Sequence, residues 1–487
     1  MLNKEQEAAV FAPYNKTLVL AAAGSGKTRV IVHRIAYAIA QGYAPGRIVA
    51  ITFTTVAARE MEARLAKMGI KIGFVGTLHA FALKVITAQG SELGYRGMPK
   101  VIDEETAIAR RKEIVKKLKL PKSTSLEAID AAIGERGSSN AHLAAIQYRK
   151  EMRNANEIDF TLILAEFETL LRTATPKLSL DALFVDEYQD SGARDARIYD
   201  LIPTAMDCRV GDADQSMYSF RGGRVENILE LAKSRTVYRL QVNFRSATRI
   251  VEVANRLIEV GPGDRLPMMP SRIEAKGVVT LKEYPNIMTE AASVAAFIRH
   301  SGRPAKDFAV LSRFNARANL VRDALKAEGV LVNTITKQTV ERRTMEILEK
   351  LVLFNPYPDL GTGLVAAGVS MEQIRAFNDA WAGDLESTVA ALKMAEEVAV
   401  GDGVHVGTVH SLKGGERPIV FVVGMEDHTT PGKKKGDEYN EERRIAYVAY
   451  TRAMDELHVS WSRMAPDSAG MGQIEAIASR FTVPLDK

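Results

Sequence analysis

Short apolar runs rich in β-branched residues punctuate the first part of the chain: "TLVL" at 17–20, "RIVAITF" at 47–53 and "LFVDE" at 183–187. Each leads into a turn or a helical pattern, which predicts a parallel sheet flanked by helices. In "VIVHRIAYAIAQ", residues 30–41, Ile31, Ile35 and Ile39 fall at helical spacing and Gly42 supplies a stop. A glycine-rich turn therefore lies between a strand and a helix. From about residue 82 to 177 the texture changes to long helical segments such as "ETAIARRKEIVKKLKL" and "DFTLILAEFETLLRT". Strand runs resume with "DALFVDEYQD" and "CRVGDADQS", and again from "VVTLKEY" through "FAVLSRF" to "VLVNTI". The expected fold class is α/β with two cores, each interrupted by helices. The first core takes residues 1–81 and 178–235, with a helical insertion at 82–177. The second takes 236–340 and 400–487, with a small helical insertion at 341–399. By eye, neither internal repeats nor low-complexity tracts are evident.

Composition narrows the class without naming a function. At 487 residues, 46% hydrophobic and 26% charged, the chain is an ordinary globular one with room for two or more domains. No apolar run approaches the ~18 residues of a membrane span, and "MLNKEQEAAV" lacks the apolar region of a secretory signal. A cytoplasmic location is expected. The single cysteine, Cys208, can form neither an internal disulfide nor a structural zinc site, and the eight histidines have no metal-ligand spacing. A formal charge of +5 and a pI near 9.0 tilt the chain toward polyanions without deciding the matter. The basic cluster "PGKKKGDE" reads as a solvated loop.

The strongest chemical signal is "AAAGSGKTR", residues 21–29. A phosphate cradle needs backbone N–H groups turned toward oxygen, and glycine wherever the chain takes positive φ. Gly24 and Gly26 meet that need, Lys27 can reach β- and γ-phosphates, and Thr28 can ligate Mg²⁺ at the start of the helix. Ala23 and Ser25 complete the loop. Ala21 stands where the usual pattern has its first glycine, and a methyl group is tolerated there if φ is negative. The second signal is a strand ending in adjacent carboxylates, Asp186 and Glu187. Asp186 can hold the metal shell while Glu187 orients and deprotonates a water, a division suited to hydrolysis.

With these in place, the chain resembles the UvrD/Rep/PcrA group of superfamily 1 DNA helicases. "LNKEQEAAV", "AAAGSGKT", "TFTTVAAREMEAR", "GTLHAFA", "VDEYQD", "VGDADQSMYSFRGG", "QVNFRS", "VGTVHSLKGGE" and "EERRIAYVAYTRA" follow one another in the family's order. The resemblance implies two RecA-like P-loop cores with ATP in the cleft between them and single-stranded DNA across both. By motif position, Gln6 would read the adenine, with Arg29 beside it and Phe244 stacked on it. Gln215 would sense the γ-phosphate, Glu416 would face the ribose, and Arg245 and Arg452 would act as arginine fingers. Tyr218 and Phe220 would stack on bases with Arg221 near the backbone, while Phe53, Thr77, His79, Arg313, Asn315, Thr408 and His410 match positions that touch the strand.

The implied activity is an ATP- and Mg²⁺-dependent DNA helicase moving 3′ to 5′ on single strands and at single/double-strand junctions. It would act as a monomer or weak dimer in repair, recombination or replication. Two departures matter. Val56 replaces the usual lysine of "TFTxKAA", which removes a phosphate contact. The second insertion is short, which favours translocation over duplex separation, and little chain follows "DELHVSWS" for a further module. The rival readings are a translocase that strips proteins from DNA, a P-loop kinase or nucleotide switch, and a silent DNA-binding module.

Overall fold

The structure is a computed structural model that describes residues 2–13, 16–121, 123–135, 139–173, 178, 180–217, 223, 225–259, 266–337, 397–400, 402–467 and 472–485. Tyr218, Phe220 and Arg221, and nearly all of the expected insertion at 341–399, lie outside these residues.

After α1 (Lys4–Val10) the chain alternates strand and helix: β1 (Lys16–Ala21), α2 (Lys27–Ala40), β2 (Ile48–Thr52), α3 (Thr55–Lys67), β3 (Phe74–Thr77), α4 (Leu78–Gln89). A helical insertion follows, with α5 (Glu104–Lys117), α6 (Leu126–Ala132), α7 (Asn140–Ala155) and α8 (Phe160–Thr173). Two short parallel strands, β4 (Lys100–Val101) and β5 (Glu157–Ile158), tie its ends together. The first sheet is then completed by β6 (Leu180–Val185), α9 (Ala193–Leu201), β7 (Thr204–Gly211), α10 (Val225–Ala232) and β8 (Thr236–Leu240). Its order is β3-β2-β6-β7-β1-β8, all parallel. Strand β8 pairs with β1 from Thr17↔Thr236 to Ala21↔Leu240. The first sheet thus runs past residue 235, where the sequence reading closed the first core.

The second sheet follows a bridge of β9 (Val242–Asn243) with β10 (Met269–Pro270) around α11 (Thr248–Glu259). It comprises β11 (Val278–Asn286), β12 (Phe308–Ser312), β15 (His405–Thr408), β16 (Arg417–Val422) and β17 (Ala453–Pro466), in the order β11-β17-β16-β12-β15. Helices α12 (Ile287–His300), α13 (Asn315–Ala327) and α14 (Gly436–Tyr450) flank it. The antiparallel pair β13 (Thr334–Lys337) and β14 (Glu397–Val400) leads into and out of the second insertion, and β18 (Gln473–Glu475) folds back on β17.

Both sheets are covered on both faces, as parallel sheets must be. Strand β2, "IVAIT", is buried at every position. Val49, Ile51, Leu183 and Val185 pack under α4 and α8, while Ile48, Ala50, Ala182 and Phe184 pack under α2 and α3. Burial of this kind contributes roughly 25 cal/mol per Å² of apolar surface. It also fixes where the carboxyl ends of the strands lie, and ligands bind at those ends in folds of this class.

Candidate active site

The turn from β1 to α2 is built around two left-handed glycines, Gly24 (φ +67°) and Gly26 (φ +84°). Gly26 occupies the position preceding α2, and no side chain caps the helix there. The first N–H groups of α2 are thereby left to a ligand, and the helix dipole favours an anion. Ala21 is the last residue of β1 and has extended backbone, so glycine is not required. Close approach sets a second constraint. A Cβ on Gly24 would lie 2.7 Å from Asn243 Nδ2 and 2.9 Å from Arg245 Cβ, and one on Gly26 would lie 2.9 Å from Gln6 Nε2.

Those neighbours hold the loop. Gln6 Nε2 donates to the Ser25 carbonyl at 2.9 Å, and its Oε1 accepts from Asn3 N–H at 3.1 Å. Asn243 Nδ2 donates to the Ala23 carbonyl at 2.8 Å, and Phe244 N–H donates to the Gly24 carbonyl at 2.9 Å. Phe244 is left half exposed, and Arg29 is exposed on the first turn of α2. Ala22 and Ala23 pack into the apolar cluster of the second core with Tyr447 and Ala446.

Facing the loop, β6 delivers the two carboxylates. Asp186 is buried, and its N–H donates to the Ile51 carbonyl at 2.8 Å. Its carboxyl Oδ1 accepts from Glu187 N–H at 2.9 Å. Burial, then the adjacent Glu187 charge, push Asp186 up to about 7. Burial also opposes charge on Glu187, but Lys27, Lys413, the hydrogen bond from Gln189 and Arg452 outweigh it and hold Glu187 at about 2. Lys27 Nζ lies 4.0 Å from Glu187 Oε2. Glu187 itself sits at φ +51°, a left-handed conformation that costs a non-glycine residue about 1–2 kcal/mol. A carboxylate is held there against backbone preference.

The second core closes around this cluster. Gln215 Nε2 donates to Asp212 Oδ2 at 2.6 Å, and its Oε1 accepts from Arg452 Nη2 at 3.3 Å. Lys413 pairs with Asp190 and donates to the Gln215 carbonyl at 3.1 Å. Arg444 Nε donates to the Ser216 carbonyl at 2.7 Å. Arg452 is fully buried, and burial with Arg245 beside it brings its guanidinium down to about 9. Arg245 pairs with Glu416 and donates to the Thr451 carbonyl at 3.0 Å. The loop, the carboxylates, Gln215 and both arginines are thus parts of one connected site. Lys413 and Asp190 are not legible as site residues from sequence, because a pair more than 200 positions apart leaves no local signal.

The candidate strand-contacting residues divide between the two sheets. Thr77 ends β3 and caps α4, accepting from Ala80 N–H at 3.3 Å. His79 lies 5.6 Å from the Phe160 ring, and burial brings its imidazole down to about 4. Thr408 ends β15, and His410 follows two residues later. Burial, with Arg313 nearby, also lowers His410 to about 4. Both imidazoles are neutral near pH 7. Phe53 has Lys413 Nζ 5.8 Å from its ring centroid. Arg313 forms hydrogen bonds of 3.0–3.1 Å with the buried Glu442, and Asn315 begins α13, exposed. "VGTLH" at 75–79 and "VGTVH" at 406–410 thus occupy equivalent strand ends, an internal repeat that inspection by eye passes over.

Among the described residues no three acidic, histidine or cysteine side chains converge as a self-sufficient metal site. One hydroxyl, Thr28 in the first turn of α2, and one buried carboxylate, Asp186, are the kind of donors that would suit a Mg²⁺ ion taking its other ligands from phosphate and water. The donors present fit that ion.

A parallel sheet whose first strand turns over two left-handed glycines into an uncapped helix, facing a second parallel sheet, is the architecture of a P-loop protein with paired α/β cores. Sequence comparisons specify the family. Residues 2–236 match the UvrD/REP helicase N-terminal domain, and residues 238–354 and 382–464 match the UvrD-like helicase C-terminal domain. The chain belongs to the UvrD/Rep helicase family. It is 28% identical to ATP-dependent DNA helicase UvrD2 of Mycobacterium tuberculosis, over 95% of this chain and 78% of that protein. It is 27% identical to ATP-dependent DNA helicase Rep of Escherichia coli, over 94% and 90%, and 27% identical to that organism's DNA helicase II, over 95% and 84%.

Proposed function

We propose that this chain is an ATP-dependent DNA helicase that steps along single-stranded DNA, 3′ to 5′, and couples hydrolysis to strand separation. One observation carries the reading: the Gln215–Ser216 segment of the first core is tied to Asp212 beside the carboxylates and held by Arg452, Lys413 and Arg444 of the second. A change at the γ-phosphate position then bears directly on the contact between cores.

In this reading the backbone of Ala23–Gly26 cradles the phosphates and Lys27 pairs with them. Thr28 and Asp186 would hold Mg²⁺, which would supply neutralisation of phosphate charge. Glu187, kept ionised by Lys27, orients and deprotonates the attacking water. Gln215 reports the γ-phosphate, and Arg245 and Arg452 stabilise charge developing on it. Phe244 and Arg29 flank the adenine. For Gln6 to read the base, it must exchange its bond to the Ser25 carbonyl for one to adenine. Glu416 must likewise be released by Arg245 to face the ribose. Phe53, Thr77, His79, Arg313, Asn315, Thr408 and His410, with Tyr218, Phe220 and Arg221, take the strand across both cores.

Such an enzyme suits the cytoplasm, and among the described residues no helix is long and apolar enough to cross a membrane. The first test is the steady-state ATPase rate with and without single-stranded DNA, alongside Glu187→Gln. Strong stimulation, abolished in the variant, is expected. Absence of stimulation in folded protein that binds ATP overturns the coupling. Duplexes with opposite tails test polarity, and unwinding from 5′ tails alone overturns that part.

A further inference from the structure

Five strands of the first sheet, β3-β2-β6-β7-β1, correspond in order to β15-β12-β16-β17-β11 of the second, and the correspondence isolates one residue. Thr52 ends β2 and pairs with Thr77, while Ser312 ends β12 and pairs with Thr408. Two residues beyond Thr52 stands Thr54, whose hydroxyl accepts from Ala57 N–H at 3.1 Å and caps α3. Two residues beyond Ser312 stands Phe314, and α13 has no side-chain cap. The ring is 48% exposed, and the Arg313 guanidinium lies over it, 5.1 Å from its centroid. A lone exposed ring on a protein surface needs no explanation. This one displaces a capping residue, lies at the carboxyl end of a sheet strand, and carries a flat cation on one side. At the equivalent edge of the first core, one residue nearer the strand, Phe53 also lies near a cation, Lys413 of the second core.

We propose that Phe314 is a base-stacking platform of the second core, taking an unpaired base of single-stranded DNA on the face that Arg313 leaves open. The inference rests on the proposed movement along DNA and adds a contact that the motif comparison did not assign. A base, rather than a phosphate, is the group that fits. The charge of Arg313 is already met by the buried Glu442, which Lys434 also contacts. What remains accessible is a flat apolar plane backed by a guanidinium, and such planes bind bases with little regard to sequence.

The test uses the full chain and Phe314→Thr, which installs the first core's capping residue. Affinity is read by fluorescence anisotropy with labelled oligothymidylate and with an abasic oligomer of equal length. Expected for Phe314→Thr is about 5- to 150-fold weaker binding of oligothymidylate, unchanged binding of the abasic oligomer, and a Tm no lower than that of the parent. Equal affinity for oligothymidylate, or an equal loss on both oligomers, overturns the platform. Failure of the parent chain to bind either oligomer overturns the DNA reading itself, and the platform with it. Should Phe314→Thr fold poorly, Phe314→Trp gives an independent readout: its added tryptophan fluorescence is quenched by oligothymidylate and not by the abasic oligomer. No quenching overturns the assignment.

Discussion

The carboxyl ends of β6 and β16 occupy the same place in their sheets and carry opposite chemistry. Ile51 pairs with Val185 and Leu311 with Val422. The next residue, Asp186 or Val423, donates its N–H to the same neighbouring strand, at 2.8 Å in one core and 2.9 Å in the other. The residue after that is left-handed in both, Glu187 at φ +51° and Gly424 at +76°. The second core relaxes this turn with glycine, whereas the first keeps a carboxylate on it. The strand-to-helix turns differ in the same sense. Asn286 Oδ1 accepts from Met288 and Thr289 N–H at 3.0 and 2.9 Å and caps α12, while α2 has only Gly26 before it. Where nucleotide chemistry is not needed, local stability prevails.

The contrast can be broken most forcefully at the residue the first core borrows. Arg452→Ala is expected to lower DNA-stimulated turnover by about 10³-fold or more while nucleotide binding persists. Unchanged turnover in a kinetic assay removes the finger role. Gly24→Ala comes next. Its Cβ would meet Asn243 Nδ2 at 2.7 Å in a left-handed turn, so nucleotide binding measured by calorimetry should weaken at least tenfold, by about 1.4 kcal/mol. Comparing Glu187→Gly with Glu187→Gln isolates the backbone term. Both should be inactive, yet the glycine variant should be the more stable by about 0.5–1 kcal/mol in denaturant unfolding, the left-handed penalty less the entropy of glycine. Gly424→Ala should move the other way by a similar amount, since its Cβ would lie 3.0 Å from Arg317 Cγ. Asn286→Ala is expected to cost about 1 kcal/mol of second-core stability and to leave nucleotide affinity intact, so it is the smallest change in function. A change in ATP binding there would show that the two turns are not independent.

What could be read from sequence follows from how local the signals are. Gly24, Gly26 and Lys27 announce themselves between a strand and a helix, and "LFVDE" needs only its own neighbours to be read as a strand ending in paired acids. The edge strand β8 falls just after the division read from sequence, because "TVYRL" has no compositional break. Only its pairing with β1, more than 200 residues earlier, decides its sheet. The left-handed backbone of Glu187 was hidden for a similar reason. Glycine would have signalled it, and a carboxylate stands there instead. Phe314 follows a family motif position and looks like one more apolar residue until its register against Thr54 is known.

Asn243 and Phe244, three and four residues after the first sheet ends at Leu240, are fastened to the carbonyls of Ala23 and Gly24 before the chain turns into α11. In mechanical terms the fulcrum lies beside the load. Were the second sheet to turn about this point, the short arm of the lever would end on the phosphate loop and the long arm would be the sheet itself. The same fastening means that a fragment cut after Leu240 would keep every strand of its sheet and still lose one wall of its cradle.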